Sequence, residues 1–273
     1  MTRVDTIFSP GLFTSEVAVV TGGGTGIGFS SALELGLLGA RVAICGRRAE
    51  LLEEAAGKLS ARGIEVFHAP CDTREPERVA AFVAAVKQRF GRIDVLVNNA
   101  GGQFPSAAET LSTRGFEAVV KNNLFGTWNM TTAVAREALI PQRRGRIVNV
   151  IANIARGFPG MSHTGAARAG VENLTKSLAV EWAPHGIRVN AVAPGIIRTS
   201  GTDQYPPELL AAAGKAGPLR RLGTAAEVAH LITYLASRQA DFVTGQTFYI
   251  DGGQSLYGDV WQVGDDVPDL TPP

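Results

Sequence analysis

The chain has 273 residues, 45% of them hydrophobic and 19% charged, and its 26 Lys+Arg against 25 Asp+Glu leave a net charge of +1. So balanced a chain offers no basic field for phosphate backbones or anionic membranes, which argues against nucleic-acid and membrane partners. Glycine is the outlier at 32 residues, where average usage gives about 19, and the glycines sit between apolar runs.

Glu16 to Val20 reads as the first strand, followed by a glycine loop and a helix from Gly26 to Leu38. Arg41 to Cys45 and Ile64 to Ala69 read as strands, separated by a helix over Ala49 to Arg62. A helix from Glu75 to Phe90, a strand from Asp94 to Asn98 and a long helix from Thr113 to Leu139, ended by Pro141, come next. Arg146 to Ile151, Ile187 to Val192 and Phe242 to Ile250 complete the strands, with helices His163 to Ala183 and Ala225 to Leu235 between them. Strands that are apolar almost throughout and alternate with helices imply a parallel sheet covered on both faces. The expected fold is therefore α/β, a single doubly wound (Rossmann-like) domain over 1–273 with a seven-stranded parallel sheet. Two stretches break the alternation: 199–218, expected to be a substrate lid, and the tail 254–273.

No run reaches the ~18 apolar residues of a membrane span. The start lacks a signal peptide's apolar core and the end carries no lipid or peroxisomal address, so the cytoplasm is expected. Cys45 and Cys71 read as small core residues of a reduced chain, and the four histidines have no metal spacing.

Thr21-Gly22-Gly23-Gly24-Thr25-Gly26-Ile27-Gly28 follows the first strand and opens the first helix. Such glycines let the backbone turn sharply and approach a pyrophosphate, which the helix N-terminus then binds. A fold selecting NAD places a carboxylate roughly 20 residues on, for the ribose 2′-hydroxyl. Here Arg47 and Arg48 stand instead, two guanidiniums suited to a 2′-phosphate. NADPH/NADP+ is thus the expected cofactor, the alternative being two solvated arginines in a loop.

With Cys71-Asp72, Asn98-Asn99-Ala100-Gly101, Asn123-Leu124, Pro194-Gly195 with Thr199, and Asp251-Gly252-Gly253, the chain resembles the short-chain dehydrogenase/reductase superfamily over about residues 12 to 255. The resemblance implies that Asp72 contacts the adenine amino group and that Asn98 to Gly101 line the cofactor trough. It also implies that Pro194 to Thr199, Ile197 included, cover the nicotinamide end.

The family's serine and YxxxK pair are missing. Thr164 falls at the tyrosine and Arg168 at the lysine, and the serine position falls among Ile151, Ala152 and Asn153. Asn123, which in the family supports a proton-relay water, is present. Glu172 and Lys176 offer a second register that faces away by family geometry. Carbonyl reduction makes an alkoxide and needs a positioned acid. Reducing the C=C bond of an unsaturated thioester is less demanding: a hydrogen bond stabilises the developing enolate, and a water or side chain protonates the α carbon later. The segment His163 to Val171, with Gly101 to Phe104 and Gly157 to Pro159, is similar to the trans-2-enoyl-CoA and 2,4-dienoyl-CoA reductase branch. That resemblance implies an acyl-CoA substrate, Thr164 on the thioester oxygen, Arg168 on the nicotinamide ribose, and a homotetramer. Two alternatives stay open: an alcohol or ketone oxidoreductase using His163 or Tyr205 as its acid, and a silent cofactor-binding subunit. Trp128 and Met130 read as core or subunit interface.

Overall fold

Along Val17–Thr21 (β1), Val17 and Val19 join one apolar cluster and Ala18 and Val20 another, because strand side chains alternate between faces. Both faces must therefore be covered. The computed structural model, which describes residues 8–202, 207–215 and 217–256, shows how. The remaining strands are β2 (Arg41–Gly46), β3 (Val66–Pro70), β4 (Val95–Asn98), β5 (Gly145–Val150), β6 (Ile187–Pro194), β7 (Ile197–Arg198), β8 (Gly223–Thr224) and β9 (Thr247–Ile250). Seven of them form one sheet in the order β3-β2-β1-β4-β5-β6-β9, every pairing parallel. The expected doubly wound sheet is present. Chain order reverses between β1 and β4, which opens a crevice at the carboxyl ends of those strands.

The helices are α1 (Gly26–Leu37), α2 (Ala49–Ser60), α3 (Pro76–Phe90), α4 (Thr113–Val120), α5 (Gly126–Val134), α6 (Ile140–Gln142), α7 (Ser162–Glu181), α8 (Pro207–Lys215) and α9 (Ala225–Ala236). Leu35, Leu52, Leu59, Ile232 and Leu235 from α1, α2 and α9 cover one face. Phe82, Val86, Met130 and Leu178 from α3, α5 and α7 cover the other, so Met130 is core. Thr224 and Glu227 close a capping box at the start of α9, and Arg221 grips the same carboxylate, holding its pKa at about 2.

Beyond shifts of one or two residues at element ends, four stretches differ from the sequence expectation. The third strand starts at Val66, because Ile64 is buried under Gly36 of α1, where a Cβ would come within 2.6 Å. The last strand starts at Thr247, because Gly245 turns at φ +72° and leaves Phe242 fully exposed. Pro141 does not end its helix: a π turn over Ala135–Leu139 places it in the first turn of α6, where no N–H is needed. Inside 199–218 lies α8, and β7 pairs with β8 at the base of that segment.

At the amino ends of the strands, Arg146 is 2% exposed and pairs with buried Glu16, with Arg144 and Arg238 reaching Glu16 from the surface at 3.7 and 3.5 Å. Removing one partner of a buried pair leaves a desolvated charge. Arg146→Met is expected to cost about 3 kcal/mol in urea unfolding, and adding Glu16→Gln to recover part of it. A loss under about 0.5 kcal/mol, the scale of an exposed pair, would contradict the buried assignment.

Candidate active site

Between β1 and α1, Gly22 (φ +64°) and Gly26 (φ +56°) adopt left-handed backbone. Gly28 is required for space: a Cβ there would overlap the Gly22 carbonyl oxygen and sit 2.5 Å from Asn99 Nδ2. Gly23, a spacer in the motif, is also confined, its Cβ position lying 2.6 Å from Ile44. Gly24 has more room, with the Leu51 carbonyl oxygen nearest at 3.3 Å. The buried Thr21 hydroxyl accepts from the Asn99 and Ala100 N–H groups at 3.0 and 2.9 Å, and Asn99 Nδ2 donates to the Thr21 carbonyl at 3.0 Å. The ends of β1 and β4 are thereby tied together at the crevice.

A cavity of about 310 Å³ fills that crevice. Of the expected cofactor residues, Gly22, Gly24, Thr25, Gly26, Ile27, Arg47, Arg48, Cys71, Asp72, Asn99, Ala100, Gly101 and Thr199 line it. Thr21 and Gly28 stand behind the wall. Gly195 and Ile197 line a separate cavity of about 100 Å³ near Asp251, and Pro194 ends β6 beside them. Leu51, Thr73 and Asn122 also line the larger cavity, each adjacent in sequence or helix turn to an expected residue. Asn98 does not reach it. Its amide donates to Thr131 and Asn149 at 2.7 and 2.9 Å, and Asn149 donates on to Thr175, a polar chain inside the core.

The cavity suits a dinucleotide. The Thr25 side chain makes no capping bond, so the first-turn N–H groups of α1 remain for an anion. Arg47 and Arg48 are exposed at its rim and pair with no acidic side chain among the described residues. Asp72 is gripped by Arg74 through Nε at 2.9 Å and Nη2 at 2.5 Å, which lowers its pKa, with Arg47 adding to the effect. Cys45 and Cys71 are free and buried; the hydrogen bond between their thiols raises the Cys45 pKa.

At the far end of the trough, a Cβ on Gly101 would lie 2.5 Å from Asn123 Oδ1 and overlap the Arg168 guanidinium. Two of the three expected reacting-end side chains, Asn123 and Arg168, lie against this point. Asn123 sits fully buried in a π turn, Lys121–Phe125, between α4 and α5. Its Nδ2 donates to Gly102 O at 2.8 Å and Val119 O at 2.9 Å, and its Oδ1 accepts from Gly102 N at 3.2 Å. Arg168 and Thr164 are four apart on α7 and therefore share a helix face. Arg168 Nη1 donates to Val150 O at 2.8 Å, while its buried Nε has no partner among the described residues. Burial pushes its pKa down to about 10, which still leaves a cation at neutral pH.

Thr164 is fully buried, its hydroxyl 3.4 Å from His163 Nδ1, and that nitrogen accepts the Thr164 N–H at 2.8 Å. Phe104 packs edge-on against the His163 ring at 4.7 Å. At the serine position Ile151 is core, and Asn153 turns away to donate to Asp251 at 2.9 Å. Glu172 and Lys176 pair with each other on the solvent side. Tyr205 lies outside the described residues.

The sequence matches the family model described as enoyl-(acyl carrier protein) reductase over residues 22–255. A peroxisomal 2,4-dienoyl-CoA reductase from Danio rerio is 40% identical over 263 residues, covering 94% of this chain and 87% of that one. Among solved structures, a citronellol catabolism dehydrogenase from Pseudomonas aeruginosa superposes with TM-score 0.84 at 45% identity, covering 92% of this chain and 99% of that one. An actinorhodin polyketide ketoreductase with NADPH gives TM-score 0.86 at 34% identity, covering 91% and 100%.

Proposed function

The chain belongs to the enoyl-(acyl carrier protein) reductase family of short-chain dehydrogenases/reductases, and from that premise we propose that it reduces the C=C bond of enoyl- or 2,4-dienoyl-CoA thioesters with NADPH. It is an oxidoreductase with a Rossmann-like domain that takes a nicotinamide cofactor. One observation carries the finer reading: the side chains at the usual acid and cation positions are a buried hydroxyl, Thr164, and a buried guanidinium, Arg168.

Bound nicotinamide supplies the hydride. When a hydride reaches the β carbon of an enoyl thioester, the C=C electron pair moves to the thioester oxygen and forms an enolate. In a 2,4-dienoyl thioester it reaches C5, and the pair runs through both double bonds to the same oxygen. A proton delivered to C2 by water then leaves a 3-enoyl product, the outcome named for the Danio rerio relative. Thr164 donates its hydroxyl hydrogen bond to that oxygen, as an oxyanion-hole donor does. Arg168 stays charged throughout and so cannot shuttle the proton; its free Nε is assigned to ribose hydroxyls. Asn123, by clamping both polar groups of Gly102, fixes the loop on which thioester and ribose meet.

The arginine pair, Arg47 and Arg48, is assigned to the 2′-phosphate, Asp72 to the adenine, and Pro194 to Thr199 to cover the nicotinamide end. The segment 199–218 is assigned to close over the acyl chain. Exposed Phe125 and Trp128 before and on α5, with Val180 on α7, support assembly through these helices, a tetramer in this reading. No described helix is long and apolar enough to cross a membrane.

NADPH oxidation with a panel of enoyl-CoAs, dienoyl-CoAs and free ketones tests the reading; turnover of ketones alone would overturn it. For the cofactor, Arg47→Ala is expected to weaken NADPH at least tenfold more than NADH, about 1.4 kcal/mol of discrimination. Equal loss of both, measured by fluorescence titration, would make the arginine a solvated surface group.

A further inference from the structure

We infer that Arg74 determines selectivity for a 2′-phosphorylated dinucleotide by masking the Asp72 carboxylate, an inference that rests on the NADPH reading above. Three charged side chains line the crevice cavity: Arg47, Arg48 and Asp72. Two of them suit a phosphate dianion and the third repels it. Asp72, like any ordinary aspartate, is ionised at neutral pH with or without Arg74, and hydrogen bonds from Arg74 lower its pKa further. The side chain is only 16% exposed, so water screens it poorly toward the cavity.

Arg74 answers that charge with a forked contact. Its Nε donates to both carboxylate oxygens at 2.9 and 3.1 Å, its Nη2 donates to Oδ2 at 2.5 Å, and its backbone N–H donates to Oδ1 at 3.1 Å. Arg74 itself does not line the cavity, so it acts through Asp72 and is a positioning and charge-masking residue. With the pair intact, the local sum over Arg47, Arg48, Asp72 and Arg74 is +2; without Arg74 it falls to +1, with an uncovered carboxylate beside the arginines. Masking carries the discrimination, because a 2′-hydroxyl has no charge for Asp72 to repel.

The test is calorimetric titration of the full chain with 2′,5′-ADP and 5′-AMP, which differ by the 2′-phosphate alone. The wild type is expected to bind 2′,5′-ADP at least tenfold more tightly than 5′-AMP. Arg74→Gln should lower that ratio about tenfold with 5′-AMP affinity within threefold of wild type. Adding Asp72→Asn should bring the ratio back within threefold, since the charge to be masked is gone. A wild type with no preference overturns the NADPH reading and this inference together. A preference that survives Arg74→Gln, or falls in step with 5′-AMP affinity, overturns the inference alone. A ratio that stays low in the double variant also overturns it, because Arg74 would then be gripping the phosphate itself.

Discussion

Thr164→Val is expected to lower kcat by about two to three orders of magnitude, the usual loss when one oxyanion donor is removed. The two side chains have the same shape, and Thr164 is fully buried on α7, so the change deletes a hydroxyl without opening a cavity. NADPH affinity should stay within about twofold, because the dinucleotide cavity is lined by other residues. His163 gives a further control. Its Nδ1 accepts the Thr164 backbone N–H, a bond that survives in the valine variant and keeps the local turn in place. A kcat within threefold of wild type would remove Thr164 from the reacting site.

Gly28→Ala should abolish measurable dinucleotide binding, a loss of at least about a hundredfold or 2.7 kcal/mol. The added Cβ would overlap the Gly22 carbonyl oxygen, which is backbone, and press at 2.5 Å on Asn99 Nδ2, which is held by hydrogen bonds to the Thr21 and Gly22 carbonyls. Overpacking of this kind displaces backbone, here the start of α1 that must face the pyrophosphate. Gly24→Ala is the milder comparison: its Cβ would meet the Leu51 carbonyl oxygen at 3.3 Å, a contact that calls for a shift of only a few tenths of an ångström. Fluorescence titration with NADPH reads both variants. Binding by the Gly28 variant within threefold of wild type would mean that the loop does not hold the pyrophosphate.

The sheet was legible because its central strands β1, β2, β4, β5 and β6 are short, mainly apolar runs buried on both faces, whereas the edge strands β3 and β9 are only half-buried. The glycine loop was legible for a similar reason, since left-handed backbone and close approach admit one residue type. What could not be read depends on contacts between distant segments. Ile64 looks like a strand residue until Gly36 is seen above it. Pro141 reads as a helix stop because a π turn leaves no trace in residue type. Asn98 and Asn99 are indistinguishable by motif, yet one faces the core and the other the cavity, as strand alternation requires. The fork from Arg74 to Asp72 is local enough to have been seen, but its meaning depends on the cavity that Asp72 lines.

The most direct measurement is the position of the transferred hydrogen. With NADPH deuterated at the reactive nicotinamide carbon and a 2,4-dienoyl-CoA as acceptor, the product should carry deuterium on the acyl chain, with one C=C bond lost and the thioester carbonyl intact. Deuterium found only on the carbinol carbon of a reduced ketone, with enoyl and dienoyl thioesters unchanged, would contradict C=C reduction at Thr164.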